Sequence, residues 1–263
     1  MKYLRIFFLH IQHVLENRAR AFIWFLLPLM NNLMLIVFLR GSTIQGSNFQ
    51  WDMSAITSYY FIMTIVGSML SSHIEEDVSE FDILQGDLVR YLTRPFSYYL
   101  SKFIEELPYR LLQGVYGIIL LLLFVIFFKP NMSLNKDLIQ LTFIPIILIL
   151  GFLISFTLKM ILGLTAFWFK ENGGLFELFM IANIVLSGGI VPLDLAPPLL
   201  RNISYVLPFS YTGYFPIIAI QGKLDLTGIL QLITVQSGWL ISLYLLNRLI
   251  WKKGLKIFTA VGQ

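Results

Sequence analysis

Apolar residues along this chain come in runs of about 20, separated by short polar stretches, and this pattern sets the expected elements. A helix of about 20 apolar residues crosses a hydrocarbon core of ~30 Å, whereas barrel strands would alternate over about 10 residues. The pattern therefore predicts helical spans. They fall at about 21–39, 54–72 and 107–128, in an apolar run of about 30 residues from Leu138, over a barely sufficient 175–191, and at 227–249. In the long run, Lys159 and Lys170 favour one span with a cytoplasmic extension over a steeply tilted helix. Trp24 reads as an interfacial aromatic, Pro28 as a bend, and Gly114 and Gly117 as points where helices approach closely.

The interruptions carry as much information as the runs. Leu4, Phe7, Phe8, Ile11, Val14 and Leu15 recur at helical spacing, with Lys2, Arg5, Gln12, Glu16 and Arg20 around them. This predicts an amphipathic interfacial helix over 1–18; the other reading is the frayed start of the first span. Polar stretches at 41–52 and 129–137 read as loops, and Gly173-Gly174 as a helix break. Residues 188–222 contain Gly188, Gly189, Pro192, Pro197, Pro198, Pro208, Gly213, Pro216 and Gly222, too many breakers for one straight span. Irregular backbone at membrane depth needs shelter from protein or a water-filled cavity, so short re-entrant helices are expected there.

The most charged interruption is Glu75 to Pro95, which holds six of the 15 acidic residues. Glu75, Glu76, Asp77, Glu80 and Asp82 precede Gly86-Asp87, and Arg90 and Arg94 follow. That acid-first order suits the macrodipole of a short helix, which Pro95 ends. Two readings apply: a coupling helix that docks on a soluble partner, and a solvated connector.

Composition narrows the class. With 57% hydrophobic and 13% charged residues the chain is an integral membrane protein rather than a soluble domain. The net charge of +4 does not indicate nucleic acid, because basic residues flank apolar runs instead of forming one stripe. Their distribution favours both termini on the cytoplasmic side, leaving only Arg40, Lys129, Lys136, Arg201 and Lys223 opposite. The N-terminus shows no cleavable signal and is expected to be retained.

Cysteine is absent, so neither disulfides nor thiolate metal sites arise. No phosphate-binding G-x-x-x-x-G-K-[ST], no zinc-type histidine pair and no G-x-S-x-G occurs, so no catalytic residue, metal or bound cofactor is expected. Spans one, two and six lack ionisable groups in their centres, which argues against an ion-coupled carrier.

Gly86-Asp87-Leu88 followed by Leu92-Thr93-Arg94-Pro95 resembles the G-x-L-D-x-x-L-x-R-P type of signature in permease subunits of type-2 ABC exporters. The acidic and apolar residues at 87–88 stand in the opposite order. Phe167-Trp168-Phe169, Leu186-Ser187-Gly188-Gly189 with Ile190-Val191-Pro192-Leu193, and Leu207-Pro208-Phe209 with Pro216 look like the family's F-W, G-x-x-x-P-L and L-P-F series.

The resemblance implies an all-α membrane domain over 1–263 with six transmembrane helices, in the inner membrane of the cell. A second permease, identical or related, and soluble ATPase subunits that carry ATP and Mg would complete the transporter. Within 75–96, Glu75, Glu76, Glu80, Asp82, Gly86, Asp87, Leu88, Arg94 and Pro95 would contact the ATPase. Within 188–222, Gly188, Gly189, Pro192, Pro208, Phe209 and Pro216 would form an outer gate or, alternatively, a structural cap. Tyr59, Phe61, Met63, Phe176, Phe179 and Met180 on spans two and five would line a path for amphipathic or hydrophobic cargo. The competing class is a non-transporting membrane scaffold or sensor with a partner-binding segment.

Overall fold

The computed structural model describes residues 2–41, 53–70, 72–128 and 134–259, and every regular element in them is helical. The polar loop expected at 41–52, beyond Gly41, and much of the turn at 129–137 lie outside the described residues, as do the side chains of Trp24 and Pro28. Helix α1 (Lys2–Glu16) and α2 (Arg18–Gly41) are separate, and Asn17 marks the junction by donating from its backbone and its side chain to the His13 carbonyl, at 3.1 and 3.0 Å. Leu4, Phe8, Leu9 and Leu15 leave an exposed apolar stripe on α1, as its periodicity predicts.

Helix α3 (Met53–Leu70) is the most enclosed element, with Tyr59, Tyr60, Phe61 and Val66 buried. A one-turn α4 (Ile74–Glu76) runs into a π-helix, Asp77–Leu84, and α5 (Val89–Leu92) follows a left-handed Gly86. Helix α6 (Tyr98–Phe128) packs on α1, α2 and α3. Gly114 and Gly117 are the contact points: a Cβ there would stand 3.2 Å from Met69 and 3.0 Å from Ile65. On the opposite side, Leu111, Val115, Ile118 and Leu122 are exposed, as lipid-facing residues are.

Helix α7 (Leu138–Leu164) lies along the C-terminal α11 (Leu226–Gly254). Ile147, Ile154, Ile229, Leu232 and Leu243 make a second apolar cluster beside the main core. Between them come α8 (Gly173–Leu186), α9 (Pro198–Val206) and α10 (Tyr214–Ile220), joined by 3-10 turns at Leu193–Leu195 and Pro208–Thr212. Short pieces thus replace a straight helix over 188–222, as the breakers predict.

Four helical stretches are long and apolar enough to cross a membrane: Ser54–Leu84, Tyr98–Ile126, Leu138–Phe167 and Leu226–Gly254. Helix α2, with 24 residues, is about 36 Å long at ~1.5 Å per residue. Helix α8 differs from the expected 175–191 element: its 14 residues cover only about 21 Å and end where Gly188 turns the chain at φ +80°. The 107–128 element also differs, since its helix begins at Tyr98. Lys102, Glu105, Glu106 and Arg110 dilute the hydropathy of its first turns without breaking the helix, because they pair with one another and with neighbours.

Candidate functional site

The charged segment after α3 is not the single helix its acid-first order predicts. Gly86 adopts φ +86°, a conformation that disfavours any side chain, and so turns the chain. The Asp87 and Leu88 amides then bond back to the Phe81 and Asp82 carbonyls at 3.2 and 2.8 Å. The widened π-turns before it leave alternate faces with different fates.

The inner face is locked into the protein. Lys159 of α7 pairs with Glu75 at 2.8 Å, and Lys102 of α6 pairs with Asp82 at 2.6 Å. The Tyr98 hydroxyl donates to the same Asp82 oxygen at 2.6 Å while its ring stacks on Trp251 of α11, centroids 4.6 Å apart. The Asn172 amide donates to Ser79 at 3.0 Å. Beside this network the Tyr91 hydroxyl donates to Glu105 at 3.0 Å, and burial pushes the Tyr91 phenol up to about 12. The neighbouring Lys102 ammonium opposes that shift, and the Glu105 and Asp82 carboxylates reinforce it.

Three residues expected to contact a partner are therefore placed otherwise: Glu75 and Asp82 are ion-paired within the chain, and Leu88 is fully buried. The alternation is the reason, since a charged helix lying against α6 and α7 must turn some of its charges inward, where only paired charges are tolerated.

The outer face is open. Glu76, Asp77, Glu80, Arg94 and Pro95 are exposed, and Asp87 forms a surface pair with Arg90 at 2.9 Å. Phe81 and Leu92, which charge patterning gave no reason to select, are exposed among them, 47% and 46%. A groove of about 550 Å³ separates this face from residues 170–177, with Glu76, Glu80, Glu171 and Glu177 on its walls and Lys170 beside them. Acidic groups around an exposed aromatic make a surface suited to a basic, partly apolar partner.

A half-open cavity of about 410 Å³ lies among the helices. At one end stand His73, Arg110 and Gln113; at the other, Ser187, Gly189, Thr212 and Gly213. Asn31, Asn32, Ser155 and Asn183 line it between them, beside Met63, Gly67 and Leu70 of α3. The Arg110 guanidinium is buried and fully engaged: Nε donates to Glu106 at 2.8 Å, and Nη1 donates to Gln113 at 2.8 Å and to the Ser68 carbonyl at 3.2 Å. Nη2 meets His73 Nδ1 at 2.8 Å. Asn32 donates to Thr64 at 2.9 Å. Polar side chains in membrane-crossing helices face an aqueous or substrate cavity by preference, because lipid cannot satisfy them.

Of the residues expected to line a path, only Met63 and, from the second set, Gly189 do so. Tyr59 is buried and donates to the Gly188 carbonyl at 2.8 Å, and Tyr60 donates to that of Ile190 at 2.6 Å. Phe61 stacks on Phe124 at 4.3 Å. Phe179 meets Phe209 at 5.5 Å, Phe176 sits at the outer groove, and Met180 is exposed. Gly188, Pro192, Pro208 and Pro216 are buried and frame the segment rather than the cavity. Gly213 explains part of that frame, since a Cβ there would come within 2.7 Å of the Ser187 carbonyl. Asn31 and Asn183 carried no sequence signal beyond being polar in apolar runs, and Ser187 stood in the Leu186-Ser187-Gly188-Gly189 block without being singled out for the path.

No curated protein matches the chain. The family model described as "ABC-2 family transporter protein" matches residues 17–262, from the residue after α1 almost to the C-terminus. A multi-pass helical body with a half-open, partly polar cavity fits that match. The chain belongs to the ABC-2 transporter family and is the membrane permease component of an ABC transporter.

Proposed function

We propose that this permease exports an amphipathic or hydrophobic substrate, driven by ATP hydrolysis on separate soluble subunits. The observation that carries the reading is the half-open cavity of mixed polar and apolar lining, bordered by Arg110 and His73 near the charged segment and by Gly189 and Gly213 in the broken segment. Six crossings, with α2 and α8 completing the four long spans and both termini cytoplasmic, put the charged segment on the ATPase side and 188–222 on the outer side. The ATPase then docks on Glu76, Glu80, Phe81 and the 170–177 wall of the groove.

Force on the outer face reaches the helices through the Glu75–Lys159 and Asp82–Lys102 pairs, at 2.8 and 2.6 Å. Motion of α7 and α6 relative to α3 widens the cavity toward the segment clasped by Tyr59 and Tyr60. Export is the direction this arrangement favours, and α8 offers its exposed side to a second permease.

The test is purification of the full chain from its own membrane with whatever subunits accompany it. A nucleotide-binding subunit is expected, and Glu80→Lys with Phe81→Ala should weaken its retention at least tenfold. Asn183→Leu should leave retention intact while lowering substrate-stimulated ATP hydrolysis several-fold. Absence of any nucleotide-binding subunit sinks the proposal.

A further inference from the structure

A second groove, of about 570 Å³, separates α1 from the segment that begins at Asp82 and continues into the first turns of α6. It shares no lining residue with the polar cavity. Three carboxylates border it, and all are engaged within the chain: Asp82 by Lys102 and Tyr98, Glu105 by Tyr91, and Asp87 by Arg90. Two guanidinium groups, Arg5 of α1 and Arg94, also border it, and neither makes an ion pair among the described residues. Lys102 is shared by Asp82 and Glu105 at 2.6 and 3.7 Å and Arg90 matches Asp87, so Arg5 and Arg94 leave the groove with one net positive charge.

Ser101 adds an independent sign of a missing ligand. It lines the same groove at 1% exposure, and its Oγ has no hydrogen-bond partner. A buried hydroxyl left unmatched is costly unless something else satisfies it.

The remaining lining is apolar. Ile6, Leu9 and Phe96 face the groove, and Leu4, Phe8 and Leu9 are exposed on α1, so an apolar stripe lies beside the two arginines. Tyr3 accepts from the Ser97 amide at 3.2 Å, and its ring meets Phe96 at 5.7 Å, which holds α1 against the groove's far wall.

We propose that this groove binds the phosphodiester headgroup of an anionic phospholipid from the leaflet in which α1 lies. Arg5 and Arg94 bracket the phosphate through planar charge-assisted hydrogen bonds, and the Ser101 hydroxyl donates from the groove floor. Ile6, Leu9 and Phe96 receive the upper acyl chains. A free phosphate ion would make no use of that apolar strip, and an acidic protein loop would leave the exposed leucines and phenylalanine of α1 uncovered. The site thereby ties the interfacial helix and the charged segment to the same lipid. The assignment does not depend on the export reading.

The test uses the full chain in detergent, titrated with phosphatidylglycerol, phosphatidylcholine or inorganic phosphate and followed by native mass spectrometry and thermal shift. One phosphatidylglycerol per chain should bind in preference to phosphatidylcholine, with inorganic phosphate far weaker. Arg5→Gln with Arg94→Gln should weaken phosphatidylglycerol more than tenfold, since each basic group near an anionic surface contributes about fivefold. The lipid-free melting temperature of that variant should equal the wild type's, because both side chains are exposed. Ser101→Ala should cost a few-fold on its own.

Equal binding of the two lipids, or unchanged affinity in the double arginine variant, overturns the proposal. Inorganic phosphate binding as well as the lipid overturns the lipid source. Loss of a co-purifying protein subunit with lipid binding intact would instead assign the groove to a protein and overturn it as well.

Discussion

Asp82 shows how a carboxylate that looks like a contact for another chain can be a fastening within its own. With its partner Lys102 it sits almost free of solvent, side chains 5% and 7% exposed, and Tyr98 supplies a further hydrogen bond. Removing one member of such a pair leaves a buried charge unmatched and costs about 3–5 kcal/mol, whereas replacing both with apolar residues is often neutral. Asp82→Asn should therefore lower the thermal unfolding midpoint in detergent strongly, and Asp82→Leu with Lys102→Met should restore most of it. Glu80→Lys, on the exposed face, should change stability by no more than ~0.5 kcal/mol. A charge reversal that includes Asp82 would confound docking with folding, so Glu80 and Phe81 are the informative positions for partner binding.

Two helices grip the segment carrying these residues, and the tightest grip is on α7. At Gly163 a Cβ would lie 2.8 Å from the Val78 Cβ and 2.9 Å from the Glu75 carbonyl, so the π-helix rests directly on the α7 backbone. Backbone cannot yield there as a flexible side chain would. Gly163→Ala should destabilise by about 1–3 kcal/mol through overpacking. It should also lift the segment away from Lys159, so ATP hydrolysis should lose its response to substrate before the protein loses its fold. Thermal unfolding together with basal and stimulated ATPase rates measures both effects; full stimulation in a folded Gly163→Ala protein would show that this contact does not transmit force. Helix α6 is built on the opposite plan, with Gly114 and Gly117 turned to α3 and its large aliphatic side chains turned outward.

The assembled chain leaves α8 covered on one side only, where Asn183 meets the cavity and Phe179 meets Phe209. No residue of α8 is buried, and Leu178, Met180 and Ile181 stay more than half exposed. In a permease that works as a pair, this is the side a second copy would cover. The absence of native cysteine makes the test clean. Ile181→Cys in an otherwise unchanged protein should form an intermolecular cross-link in membranes with a short bifunctional thiol reagent, while a cysteine at exposed Ile118 of α6 should not. The reverse pattern would place lipid on α8 and the partner on α6.

Hydrophobic periodicity determined the class of this protein by itself: runs of ~20 apolar residues have no soluble alternative, and breakers at 188–222 preclude a straight helix there. Motif order supplied the family, which the match over 17–262 bears out. Glycines at 114 and 117 also read correctly, because a small residue in a long apolar helix has few uses other than close approach. The site was less legible. Phe61, Phe176 and Met180 look like path residues by type, yet a side chain's type does not say which way its helix is turned, and only Met63 of that set meets the cavity. Asn32, Arg110 and Asn183 meet at that cavity from helices far apart in sequence. Likewise, the choice between Asp82 as fastening and Glu80 as open surface depends on where α6 and α7 pass, and only the tertiary structure decided it.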